Sequence, residues 1–320
     1  MIYQLNESVI PSIIHFNPQK MASKIDAIVE SVTYDCNSIL EELKILDRPM
    51  YELEIVLSET QLEEVINKAI NKLYEIYKKI VTLIDSGIDS LTFKIKDKRK
   101  FFDKNIEVIR KKASLLDSRY QFDLKAYNVY GNDKSGLSLL KSFIQNDLEN
   151  LDITVENLSN KSSMRIQDPS GHRTVFMYAD ILVKKLVNNR DFNEKNIEEY
   201  LTGADIKRTL SELGGIDSVI SKYDEFYDIK KEFNDIKKSL NGCTDKFKKS
   251  FKSYNGLLTD EMKIRYDCVF SIMNSLSLYI RMCFKVLSHQ VSNYHHIINS
   301  IYHMKIVEEQ ATTPLHDILL

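Results

Sequence analysis

Four of the chain's seven histidines gather late in the sequence, as His289, His295, His296 and His303. His289, His296 and His303 are spaced by seven, so on a helix they form one stripe. Imidazoles bind metals and titrate near neutral pH. Positions i and i+7 stand about 10.5 Å apart along a helix axis, too far for one ion to join them. A metal there would have to lie between subunits. The plainer reading is a polar flank of a helix interface, hydrogen-bonded through its imidazoles. A third reading is a pH-sensitive contact that acid charges and loosens.

Asp168, Ser170, His172 and Arg173 place a hydroxyl near a base. Nearness in sequence is not geometry, and no strand–turn–helix elbow surrounds Ser170, so catalysis is not expected there. Two basic runs offer phosphate chemistry. One comprises Lys94, Lys96, Lys98, Arg99, Lys100, Lys104, Arg110, Lys111 and Lys112. The other comprises Lys246, Lys248, Lys249 and Lys252, interleaved with Phe247, Phe251 and Tyr254. Lysines with aromatics can grip phosphates and stack bases. Asp97, Asp103 and Glu107 dilute the first run, which favours a solvated helix face. Residues 194–213 have the outline of a helix-turn-helix, but Glu198, Glu199 and Glu212 would oppose DNA. There is no P-loop, GxGxxG, HExxH or zinc spacing. Cys36, Cys243, Cys268 and Cys283 form no CxxC pair and read as buried free thiols in a reducing compartment. No cofactor or metal is expected.

The histidines ride on the most regular stretch of the chain. From Thr259 to about Gln310 there is no Gly or Pro. Met262, Tyr266, Val269, Met273, Leu276, Ile280, Cys283, Leu287, Tyr294, Ile297, Ile301 and Met304 recur at spacings of three and four. This predicts one helix of about 50 residues with an apolar seam, interrupted only by Gln290. A lone polar residue in a seam either sets register and partner number or faces a gap or water. Such a seam must be covered by the rest of the chain or by another subunit. Gln290, His289, His296, His303, Tyr294, Ile297 and Ile301 are therefore the candidate interface residues. The apolar run Cys268–Leu287 raises the question of a membrane span, but Arg281 and Lys285 within it favour a buried helix.

The remaining elements follow the same spacing. Residues 1–18 read as a docking arm, with Pro11 and Pro18 barring a regular helix. Helices are expected over 19–46, 58–87, 98–127 and 135–158, making an N-terminal long-helix bundle over 19–158. The Ser58–Gln61 capping box starts the second helix and Gly87 stops it. Residues 51–57 and 91–95 alternate. Either they pair as a minor two-stranded β element bracketing that helix, or a helix runs through them. Residues 159–173 form a polar loop. A C-terminal helical region over 174–310 follows, with short helices ending at Gly203 and Gly214–Gly215. A longer helix runs from 216 to 240 and is ended by Gly242, and a short one covers 245–254. Residues 311–320 are a tail.

The fold expected is all-α, an elongated bundle of long helices with coiled-coil-like seams. The chain has 320 residues, 43% hydrophobic and 28% charged, with a formal net charge of -2, so no global field draws it to nucleic acid or anionic membrane. The N-terminus lacks the basic-then-apolar pattern of a signal peptide, so secretion is not expected. Lys far outnumbers Arg, and Ile and Asn are abundant, which points to an AT-rich genome such as many bacteriophages and low-GC bacteria have. The function expected is a non-enzymatic structural or assembly protein. It would be a helical subunit of a larger complex such as a bacteriophage virion, cytoplasmic or inside a particle assembled there. Its partners would be proteins or further copies, met through seams and terminal arms, with no membrane. The alternative is a helical nucleic-acid-binding or regulatory protein using the basic faces.

Overall fold

The computed structural model describes residues 18–44, 59–115, 121–123, 134–159, 210–211, 214–252 and 260–307. Among these the chain forms five helices: α1 (Pro18–Lys44), α2 (Glu59–Leu115), α3 (Lys134–Ser159), α4 (Ile216–Lys252) and α5 (Asp260–His303). Two three-residue strands, β1 (Gln121–Asp123) and β2 (Lys305–Val307), pair antiparallel, with Phe122 opposite Ile306. The fold is all-α with this one small strand pair. The docking arm, the 51–57 alternation, the polar loop, most of 174–209 and the tail lie outside the described residues.

Each helix forms because its apolar residues return every three or four positions. On α1 these are Ile25, Val29, Val32, Cys36 and Ile39, and on α3 they are Leu140, Ile144, Leu148, Leu151 and Val155; all are buried. Burying each aliphatic side chain contributes about 2 kcal/mol before entropy is counted. α1 opens on Pro18, whose fixed φ suits a first helical position and whose missing N–H loses nothing there. Just before α4, Gly215 N–H meets the Leu210 carbonyl at 2.7 Å and Gly214 N–H meets that of Ser211 at 3.0 Å. Gly214 and Gly215 have φ of +85° and +89°, the left-handed conformation that ends a helical turn.

Several expectations are corrected. The second and third expected helices are one helix, α2, of 57 residues and about 85 Å. Of the two readings of 91–95, the continuing helix is the one found: Leu91 and Ile95, one turn apart, are buried, whereas Phe93 is 43% exposed. Gly87 does not stop the helix. A Cβ there would lie 2.3 Å from the Phe284 ring, so the glycine lets α2 and α5 approach closely. Likewise Gly242 lies inside α4, on its outer face, where lost helix propensity of about 1 kcal/mol does not outweigh the packing of Leu240, Cys243 and Phe247. Finally, α5 ends at His303, short of the expected Gln310, and the chain turns into β2. The strand pair present is β1 with β2, neither of them in the alternating stretches.

α5 is the axis. The side chains described from Tyr266 to Tyr302 are buried or half-buried, so most of the circumference of the helix is covered over that span. α2 runs parallel to it: Lys94 reaches Ser288, Phe101 meets Tyr302, and Lys112 reaches Met304. α1, α3 and α4 run the other way. Thr33 bonds Asn274 while Asp26 meets Arg281, and Phe143 packs on Tyr279. Tyr223 meets Tyr294, Phe233 stacks on Phe284, and Phe247 meets Tyr266. One hydrophobic core runs from Ile25 to Met304 and draws on all five helices.

Candidate functional site

The seam residues lie in the chain's own core. Tyr294, Ile297 and Ile301 are 4%, 1% and 0% exposed. They therefore present almost no surface to a second chain. Tyr294 rests against Tyr223 and Phe226 of α4, with ring centroids 6.4 and 6.2 Å away.

The histidines do not share one environment. His289 lies within α5. His296 is half-buried and His303 is exposed, standing edge-on to Tyr302 at 4.9 Å. His295, off the heptad stripe, is half-buried as well. Its ring packs nearly perpendicular to Phe101 at 5.4 Å, and its Nδ1 makes no hydrogen bond among the described residues. Burial pulls its pKa down to about 4. The nearby positive Lys98 and His296 add to this, and Asp97 opposes it. Among the described residues no three His, Cys, Asp or Glu converge as a metal site.

Much of the basic run is engaged within the chain. Lys94 donates to the carbonyl and hydroxyl of Ser288, both at 2.7 Å. Arg99 pairs with Asp224, and Arg110 with Asp217 at 2.9 Å, tying α2 to α4. Lys112 donates to the carbonyls of Tyr302 at 2.5 Å and Met304 at 2.8 Å, so a positive charge caps the negative end of α5. In the second run Lys246 bridges Asp152 and Glu156 of α3, both at 2.6 Å, and Phe247 is buried and not available to stack on a base. Lys96, Lys100, Lys104, Lys111, Lys248 and Lys249 stay exposed. The loop residues Asp168, Ser170, His172 and Arg173, and the helix-turn-helix outline, lie outside the described residues.

The polar lock between α1 and α2 was not read from the sequence. Asp35, 4% exposed, pairs with Lys72 at 2.9 Å and with Lys79, which also donates to Ser31 Oγ at 2.7 Å. Burial pushes the Asp35 carboxyl up, but the hydrogen bonds and charges of Lys79 and Lys72 outweigh it, and the net shift is downward. All four cysteines are free and buried. Burial pushes the thiols of Cys36, Cys243 and Cys283 up to about 12, which removes their nucleophilicity near neutral pH.

Gln290 borders an opening between helices. It lies half-buried in a cleft of about 420 Å³ between α3, α4 and α5. Leu137, Phe226, Ile229, Leu287 and Tyr294 supply the apolar lining. The charged lining is Lys141, Lys222, Glu225, Asp228 and Glu232. Lys141 holds Glu232 at 2.5 Å across α3 and α4, and Lys222 holds Glu225. Asp228 is exposed, with no ion-pair partner among the described residues. The seam's one polar residue thus sits where the sheath around α5 parts, which makes its amide a wall of a wet cleft.

No described helix is long and apolar enough to cross a membrane. Arg281, in the apolar stretch of α5, pairs with Asp26 at 2.6 Å. These features define a class by architecture: a bundle of long helices sheathing a central one. No protein-family model, curated protein or solved structure matches the chain.

Proposed function

We propose that this protein is a non-enzymatic structural subunit of a larger assembly, a stiff spacer that holds other protein surfaces apart. The observation that carries the reading is the sheathing of α5. Four helices enclose it, and ion pairs at several levels cross-link them: Asp26–Arg281, Lys237–Asp85, Arg110–Asp217 and Lys246–Asp152. A continuous helix of about 85 Å beside a packed core resists bending. The composition, rich in Lys, Ile and Asn, suits an AT-rich genome, and a bacteriophage virion is the particle we favour. The test is to tag the full chain in the cells or particles that make it and to size the native extract. A particle many times the chain's 37.3 kDa, containing it in fixed ratio to other proteins, is the expected result. Elution as a free monomer throughout would overturn the reading.

A further inference from the structure

The charge on α2 changes along its length. Over 59–88 the helix carries five Asp or Glu against four Lys, and over 89–115 it carries four against nine Lys or Arg. Among the described ion pairs, α4 brings Asp224 and Asp217 to this second half, on Arg99 and Arg110. At 3.6 residues per turn, Lys96, Lys100, Lys104 and Lys111 fall within about 80° of one another and span about 22 Å of the axis. All four are exposed and none has an ion-pair partner among the described residues. Of the acids beside them, Asp97 pairs with Lys98 at 3.3 Å and Asp103 with Arg99 at 3.7 Å. Glu107, also exposed, stands inside the arc, one turn from Lys104 and one from Lys111. The strip is therefore a row of cations on a chain whose formal net charge is -2. Charges beyond about 10 Å are screened at ordinary salt, so an approaching anion meets the strip and not the net charge.

We propose that this strip binds the phosphate backbone of double-stranded nucleic acid without reading its sequence. Lys96, Lys100 and Lys104 follow one another at about 6 Å on a helix stiffened by its packing, so the ammonium groups are presented in line. Each can neutralise one phosphate and release its counterion. The nearest exposed aromatic, Phe93, already interacts within the chain, so the strip has no ring ready to stack on unpaired bases. It also lacks the broad apolar face with which a helix enters a lipid surface, since the apolar stripe of α2 is buried in the core. Duplex binding goes beyond the assembly reading and stands apart from it: sizing the native extract tests one, salt-dependent retention the other.

The experiment is equilibrium binding of the purified full chain to a labelled DNA duplex over a range of salt. It is repeated with a duplex of unrelated sequence, with single strands, and with vesicles of equimolar phosphatidylserine and phosphatidylcholine. Both duplexes should bind alike. The logarithm of the association constant should fall against that of salt with a slope of about -3.6, from four phosphates at about -0.9 each. Lys100→Glu with Lys104→Glu should make the slope shallower by about 2 and weaken binding about tenfold or more. Glu107→Gln should strengthen binding about twofold or more, a gain that unfolding cannot produce. Lys230→Glu with Lys231→Glu, an equal change of net charge at exposed positions on α4, should leave the slope unchanged. No binding at low salt, a slope shallower than about -1, or equal weakening by the α4 pair overturns the proposal. Tighter retention of single strands or of vesicles than of duplex overturns it too.

Discussion

His295 offers a direct test of the packing around α5. Its folded pKa is drawn down to about 4 from the usual 6.5. The sign follows from linkage. Between pH 6.5 and 4 the unfolded chain takes up a proton that the folded chain resists. Stability is therefore complete above pH 6.5 and declines as the pH falls toward 4. Going from pH 7 to pH 5, a shift of this size is worth about 2 kcal/mol at most, and solvent screening of the partly exposed ring reduces it to about 1 kcal/mol. The charged groups facing the ring are Lys98 and Asp97 from α2 and His296 from α5, so the difference belongs to this cluster. Asp35, also shifted downward, has a window below pH 3.8 and does not intrude. The assay is urea unfolding followed by circular dichroism at pH 7 and pH 5, on the native chain and on His295→Leu. The leucine keeps an apolar contact with Phe101 and removes the titration. The native chain should lose about 1 kcal/mol more than the variant. Equal losses would refute the idea that burial holds this imidazole neutral.

Other expectations follow from the same packing. Gly87→Ala should destabilise the protein by about 1–2 kcal/mol in urea, the overlap with Phe284 outweighing the gain in helix propensity. Adding Phe284→Leu to that variant should recover part of the loss. Lys112→Met leaves the carbonyls of Tyr302 and Met304 without their cation, and amide exchange over Lys305–Val307 should speed up, at a cost of about 1 kcal/mol. Iodoacetamide at pH 8 should leave Cys36, Cys243 and Cys283 unmodified in the folded chain and label them quickly in denaturant.

Helix-forming segments were legible wherever the three-four spacing was long, because burial of one stripe decides the element. Their ends were less so. Gly87 and Gly242 look alike as breakers, yet one is filled by a ring from another helix and the other simply faces outward. The alternation of Leu91, Phe93 and Ile95 is ambiguous over three residues, and only Phe102 and Ile109, on the same buried face, show that the period is helical. The β1–β2 pair joins triplets more than 180 residues apart, one inside an expected helix and the other at the end of the spine. No local pattern announces such a pair. At the candidate site, spacing alone left Gln290 between setting register and facing a gap, and the residue borders a cleft. The heptad spacing of the histidines pointed to a stripe, whereas the ring with the lowered pKa is its off-register neighbour. That environment depends on Phe101 and Lys98 of another helix, which spacing within α5 does not reveal.

The enclosed helix is also the last of the five to be made. When the ribosome has finished α4, four helices carry inward-facing apolar stripes and the piece that fills the space between them does not yet exist. The bundle can close only after translation has passed His303, so its early segments must wait in a sticky, partly organised state. A message cut short before that point would yield a polypeptide with every wall of the core and no filling, a form prone to clump and be degraded.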